Sequence, residues 1–319
     1  MEIYEGLDFP EGFDKTGGTV VTVGTFDGVH KAHAKLIGTL TGKARSLGAR
    51  SVVITFDPHP RTFFSRTNGN FRLLSLREEK EALIASLGVD ILIVQQFDEA
   101  FASLTAEDFF NRYLKERLGA RAVVVGYDHS FGCEKTNAYH FLSSSPAANG
   151  IEAILVPKME YNGITISSSS VRRALEGGDI SLATALLGRP YCFSGPVVHG
   201  KQLGRTLGYP TANIQVDESL KLMPPDGVYA VRVTLDGHVY GGMMNSGMRP
   251  TVDDRLGHSI EVNIFDFSSD IYGCTLEVEA LAWIRSERKF SSLENLKAQL
   301  ALDAASCRAA IEKFNDKSH

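Results

Sequence analysis

The feature that most narrows the fold is a change of period along the chain. Before residue 187 short apolar runs alternate with helical patterns, and beyond 190 apolar residues alternate one by one. In the first part, residues 19–23, 51–55, 91–94, 122–125 and 154–156 are such runs, rich in valine and isoleucine. That composition suits strands buried on both faces. Between them Leu36, Ile37, Leu40, Ala44 and Leu47 recur at helical spacing. Residues 78–87 read as a helix with Leu83, Ile84 and Leu87 inward, and Thr105 with Asp108 opens another running through 118. Strands alternating with helices predict a parallel α/β sheet covered on both faces. Gly188 and Pro190 then break the helical pattern. Beyond them Tyr229, Val231, Val233 and Leu235 share one face, as do Ile260, Val262 and Ile264, and the alternation returns over 275–282. These spacings predict an antiparallel β-barrel, with residues 293–314 as a closing C-terminal helix. The expected domains are therefore 1–187 and 188–319.

Ligands of parallel sheets bind beyond the carboxyl ends of the strands. The loops after Val23, Thr55 and Val125 fall there, and the first is the richest in chemistry. Gly24 lets a ligand approach the backbone, and Gly28 permits angles other residues resist. His30 and His33 are three residues apart, on one face at the start of a helix. Free N–H groups and the positive end of the helix dipole suit a polyphosphate there. Two imidazoles would add stabilisation for charge developing on phosphorus. A zinc site is the weaker reading, because no third ligand of suitable spacing follows. Residues 167–170 are serines preceding a second helical pattern, so Ser168, Ser169 and Arg172 form a further phosphate-binding candidate. Phe26 and Asp27 complete the expected phosphate loop, and Asp57 and Asp128 are further candidate ligand contacts at the same end of the sheet.

Bulk properties exclude several classes. A net charge of −5 gives no support for a nucleic-acid surface. No apolar run approaches a membrane span in length. Cys133, Cys192, Cys274 and Cys307 are far apart, with no Cys-x-x-Cys pair. They read as reduced thiols, and with an acidic N-terminus lacking a secretory pattern the expected location is cytoplasmic.

The Gly24–His33 turn resembles the signature of nucleotidyltransferases with a His-x-x-His motif, although Ala32 stands where that superfamily usually has glycine. Together, residues 24–33, 55–60, 126–132 and 166–172 resemble the adenylyltransferase module of the bacterial bifunctional riboflavin kinase/FAD synthetase family. Lys135, Asn137 and Ala138 replace an arginine followed by Gly-Asp, and His129 replaces a phenylalanine. The resemblance implies a Rossmann-like sheet in which His30, His33 and Arg172 stabilise transferring phosphate.

In the second part, Gly200, Gly204 and Gly208 with Lys201 and Arg205 make a flexible basic loop suited to a triphosphate. It ends in Pro210-Thr211-Ala212-Asn213. A hydroxyl and an amide oxygen two residues apart on an extended chain are hard ligands of the kind Mg²⁺ takes. Glu261 lies opposite the core side of its strand, sharing a face with Asn263, where a carboxylate can take the proton of an attacking hydroxyl. These segments, with 225–229, 245–251 and 284–290, resemble the riboflavin kinase module of the same family. The resemblance implies that Thr211 and Asn213 hold Mg-ATP, that Glu261 is the base, and that Arg249 and Arg285 meet flavin or nucleotide. The implied substrates and products are ATP, riboflavin, FMN and FAD. Two alternatives stand beside this reading: a monofunctional riboflavin kinase with a weakened first half, and a non-catalytic flavin-binding protein.

Overall fold

In a computed structural model, residues 1–8, 15–64, 71–145, 148, 150–200, 204, 207–248 and 258–316 are described. The chain divides into two compact units, Met1–Ser168 and Ser169–His319.

The first unit is built on a six-stranded sheet of β1 (Glu2–Glu5), β2 (Thr19–Val23), β3 (Arg50–Asp57), β4 (Ile91–Gln96), β5 (Ala120–Gly126) and β8 (Glu152–Val156). Two-residue strands β6 (Ser130–Phe131) and β7 (Thr136–Asn137) pair as a hairpin between them, and β9 (Glu160–Tyr161) pairs with β10 (Ile164–Thr165) after them. All sheet pairings are parallel, in the order β1-β4-β3-β2-β5-β8. Alternation decides which core each residue enters. Val21, Val23, Val52, Ile54, Ile91 and Ile93 face one core, and Val20, Val53, Leu92, Val94, Ala122 and Val124 the other. Both faces are apolar, which is why these strands read as unbroken runs. The Lys31–Leu47 helix covers the second face with Leu36, Ile37, Leu40 and Ala44, and ends at Gly48 in the left-handed conformation.

The strand order contains the fact that places the site. From β2 the chain moves one way through β3 and β4, and β5 lies on β2's other side. Loops leaving β2 and β5 therefore diverge, opening a crevice at their carboxyl ends.

Two details differ from expectation. β1 is an additional edge strand whose residues are exposed or half-buried, so it had no apolar run to betray it. The helix opened by Thr105 is α-helical only over Ala106–Phe109 and continues as a π-helix over Phe110–Arg117. The wider winding, seen in the Leu118 N–H donating to the Tyr113 carbonyl at 3.0 Å, brings Phe110, Tyr113, Leu114 and Leu118 onto one buried stripe.

The second unit begins with two short helices, Ser168–Glu176 (whose first residue belongs to the first unit) and Ile180–Leu187, the latter capped by the Asp179 carboxylate. Then follow β11 (Tyr191–Val198), β12 (Ala212–Ile214), β13 (Gly227–Leu235), β14 (His238–Met248), β15 (His258–Ile264) and β16 (Thr275–Arg285). They close into an antiparallel barrel in the order β11-β12-β15-β14-β13-β16, with β16 returning to β11. Tyr229, Val231 and Val233 are fully buried as their alternation predicts, but Val228 and Ala230 are buried as well. Those two face the Leu293–Asp316 helix, which packs Cys307, Ala304 and Ile311 against them and Met243. Burial pushes the Cys307 thiol up to about 12, so it is an apolar packing group. Two ion pairs help to fasten the helix. Arg285 donates three hydrogen bonds of 2.7–3.1 Å to the buried carboxylate of Asp303. Arg308 grips Asp266 through two of 2.9 Å. No helix among the described residues is long and apolar enough to cross a membrane.

Removing one partner of a buried ion pair strands the other. Asp303→Ala is expected to destabilise the second unit by about 3 kcal/mol, the low end for such pairs because Arg285 keeps some solvent contact. Denaturant titration measures it, and a loss below about 0.5 kcal/mol, the range of ordinary surface changes, would contradict this account of the helix.

Candidate active sites

The first site is assembled around the turn that leaves β2. Phe26, Gly28 and Val29 all have positive φ, at 48°, 78° and 37°. A left-handed β-branched residue is held only where its surroundings over-determine it. Here they do. The Asp27 carboxylate, 2% exposed, accepts the N–H groups of Leu74 at 2.8 Å and Ser75 at 3.2 Å. The Gly28 N–H donates to Ser75 Oγ at 3.0 Å, and Ser168 Oγ donates to the Asp27 carbonyl at 2.9 Å. A side chain at Gly28 would collide with Leu74 at 2.8 Å, and one at Gly24 would crowd the Phe26 ring at 3.1 Å. Two expectations change accordingly. Asp27 is a buried brace of the turn, its carboxylate already engaged, and Phe26 is buried and offers a ligand only its backbone.

This bracing sets the histidines. His30 is not a helical residue but the N-cap of the Lys31–Leu47 helix, with its Nδ1 accepting the His33 N–H at 3.3 Å. An imidazole nitrogen that accepts cannot carry the proton, so the ring is neutral and Nε2 is its donor. The His33 ring stacks on it, with centroids 3.7 Å apart and planes 15° from parallel, and meets the edge of Phe26 at 5.1 Å. Burial, then the neighbouring His30, hold His33 well below the ordinary imidazole value. Its buried Nδ1 has no hydrogen-bond partner among the described residues, as expected of a group awaiting a ligand.

The loop after β5 reaches the same end of the sheet. The Asp128 carboxylate folds back to 3.8 Å from the position a side chain would take on Gly126, beside Leu36 of the histidine-bearing helix. His129 is pushed down to about 4 by burial, with the Asp128 charge opposing, and its buried Nε2 has no hydrogen-bond partner among the described residues. Two of the three replaced positions support a helix. Asn137 caps the Ala138–Ser144 helix by accepting the His140 N–H at 2.9 Å, and Ala138 is fully buried. Asp57 closes β3 and pairs with Arg77 at 3.8 Å, lining a cleft of about 590 Å³ with Glu5, Leu7, Gln96 and Asp98. Ser169 and Arg172 continue the Ser168 helix into the second unit, where the Ser169 carbonyl accepts Arg173 Nε at 3.4 Å.

The second site lies where β12, β15 and β14 run side by side. Glu261 on β15 is in register with Asn213 on one side and Asn245 on the other. Thr211 Oγ1 donates to Glu261 Oε2 at 3.2 Å, joining two residues fifty positions apart. Asn263 Nδ2 donates to the Pro210 carbonyl at 2.7 Å, so its amide positions the segment that carries Thr211. A side chain on Gly200 would sit 2.2 Å from the Asn213 amide, and one on Gly204 would strike the Tyr209 carbonyl at 2.3 Å. Both glycines are thus needed for close approach, and Gly208 for its positive φ of 85°. Lys201, Arg205 and Arg249 lie outside the described residues. Arg285 is spent on Asp303, which makes it a tether of the C-terminal helix rather than a group free for flavin or nucleotide.

Sequence reasoning missed His258. Burial disfavours its cation, but the carboxylates of Glu218 and Asp226, each 2.7 Å away, outweigh this and raise its pKa. It ties the strand carrying Glu261 to the 217–226 segment, a long-range pairing with no local signature.

Comparison with known proteins identifies both halves of the chain. A family profile described as FAD synthetase matches residues 13–170, and one described as riboflavin kinase matches 187–311. The chain is 38% identical to the bifunctional riboflavin kinase/FMN adenylyltransferase of Pseudomonas fluorescens, over 92% of its own length and 93% of the relative's. The Bacillus subtilis (strain 168) protein of the same name is 38% identical, with 93% of each chain covered. A crystal structure from Streptococcus pneumoniae, named a macrolide-efflux protein, is 36% identical and superposes with a TM-score of 0.86 over 97% of this chain and 99% of that one. A two-part match of this extent, in the order of the two sites, means that the chain belongs to the bifunctional riboflavin kinase/FMN adenylyltransferase family.

Proposed function

We propose that this chain performs two consecutive ATP-dependent steps at separate sites, 188–319 making FMN and 1–187 converting it to FAD. The observation that carries the reading is that two unlike constellations, a stacked histidine pair on a helix N-terminus and a threonine–glutamate pair on a barrel, are built into one chain. Neither the monofunctional nor the non-catalytic alternative is favoured.

In the kinase step, Glu261 takes the proton of the ribityl hydroxyl of riboflavin as that oxygen attacks the γ-phosphorus of ATP. The new O–P bond forms as the bond to ADP breaks. The hydroxyl of Thr211 donates to Glu261 at 3.2 Å, which fixes the direction of the carboxylate. Thr211, Asn213 and Glu261 offer hydroxyl, amide and carboxylate oxygens, a hard donor set that fits Mg²⁺. The ion, when bound, neutralises phosphate charge. Lys201, Arg205 and Gly204 would wrap the triphosphate, and Arg249 the flavin or nucleotide.

In the adenylyl step, a phosphate oxygen of FMN attacks the α-phosphorus of ATP and pyrophosphate leaves. FMN phosphate is already ionised at neutral pH, so no base is required. What is required is a set of donors fixed beforehand at the place where charge develops. His30 Nε2–H, His33 and the helix N-terminus supply it, with Gly24, Ser168, Ser169 and Arg172 on the phosphate chain and Asp57 and Asp128 near flavin or nucleotide.

Two substitutions separate the steps. His30→Asn keeps a capping acceptor but removes the Nε2 donor. It should lower FAD formation from FMN about 100-fold, leave FMN formation from riboflavin unchanged, and leave the melting temperature nearly so. Equal loss of both activities would overturn the division of labour. Glu261→Gln should slow FMN formation by about 100-fold or more while FAD formation from supplied FMN persists; an unchanged kinase rate would remove Glu261 from the role of base.

A further inference from the structure

Among the described residues, a buried lysine close to the proposed adenylyl site has no carboxylate in contact. Lys80, on the Arg77–Ser86 helix, is 8% exposed. Its Nζ donates to Thr55 Oγ1 at 3.1 Å and to the Phe56 carbonyl at 3.2 Å, and lies 3.5 Å from the Thr25 carbonyl. Thr55 Oγ1 also donates to that same Thr25 carbonyl, at 3.1 Å. Thr25 belongs to the turn after β2 that carries the histidine pair, and Thr55 and Phe56 end β3, just before Asp57. One ammonium therefore joins the carboxyl ends of two adjacent strands from below.

The partners are all neutral. Among the described residues Lys80 forms no ion pair, an unusual state for a buried charge. The charged groups around it are Asp27, Asp57 and Glu81, which favour its protonated form, and Arg77, which opposes it. Asp27 and Asp57 flank the two loops into which a polyphosphate must settle. Lys80 offsets part of this negative charge before an anionic substrate, beside Arg77, which pairs with Asp57 at 3.8 Å.

We propose that Lys80 is a positioning residue for adenylyl transfer, holding the Thr25 and Phe56 carbonyls together and offsetting Asp27 and Asp57 so that the nucleotide polyphosphate can enter. The proposal rests on the adenylyl reading of the first unit. Burial is the dominant influence on the group and lowers its pKa from 10.5. The sign for stability follows. Between the folded value and 10.5 the unfolded chain holds more protons, so stability rises with pH across that window. Burying the charged form at neutral pH is thus a cost to the fold, and a structural bolt alone would be served as well by an apolar side chain.

The test compares Lys80→Met and Lys80→Arg, with FMN and Mg-ATP as substrates and the kinase step as internal control. Lys80→Met should keep or raise the melting temperature, raise KM for ATP at least tenfold in FAD synthesis, and leave FMN synthesis unchanged. Wild-type FAD synthesis should decline at alkaline pH as Lys80 loses its proton, a decline that Lys80→Arg shifts upward because guanidinium stays charged. An unaltered KM for ATP in Lys80→Met, or an alkaline limb identical in wild type and Lys80→Arg, would overturn the proposal. If Lys80→Met does not fold, the arginine pH profile decides alone. Absence of FAD from the wild type would instead count against the adenylyl reading itself.

Discussion

The arrangement of the first site depends on a single buried carboxylate. By accepting two backbone N–H groups, Asp27 holds the turn after β2 in a conformation that left-handed angles at Phe26 and Val29 would otherwise make costly. That turn delivers His30 to the N-cap rather than into the helix. The cap bond in turn fixes the imidazole's tautomer, and the ring becomes the surface on which His33 stacks. Charge-stabilising donors are useful only if they need no reorganisation at the moment of reaction, and here the reorganisation is prevented one layer beneath them.

The second unit solves the same problem differently. Its donors lie on strands whose register places Asn213, Glu261 and Asn245 in one row. Precision comes from the ladder itself, from Asn263 on Pro210, and from glycines at 200 and 204 that admit the loop closely against it. The barrel can afford such a row on its outer strands because the C-terminal helix covers another part of its outside with Cys307 and its neighbours. Both candidate sites thus share a physical logic of prearranged polar groups, on two unrelated scaffolds.

How much of this was legible follows from the range of the interactions. The parallel sheet was readable because valine and isoleucine runs such as 19–23 and 122–125 are local records of burial on both faces. The barrel was readable from period-two alternation, except where the closing helix covers Val228 and Ala230 from outside. The histidine pair, the threonine–asparagine pair and Glu261 could be singled out as candidates because residue type and spacing are local. What stayed hidden is what spacing cannot encode. Lys80 reaches Thr55 and Phe56 of β3 from a helix, Asp27 accepts from Leu74 and Ser75, which lie 47 and 48 positions further along the chain, and Arg285 is claimed by Asp303. A charged residue looks the same in the sequence whether it faces a substrate or a buried partner.

The central claim is that both pockets turn over in one molecule. The most direct measurement is chromatographic separation of flavins after the protein is incubated with riboflavin and Mg-ATP. The account requires FMN to appear first and then FAD, with pyrophosphate formed in step with FAD. FMN accumulating with no FAD would contradict it in the first unit, and riboflavin remaining unchanged would contradict it in the second.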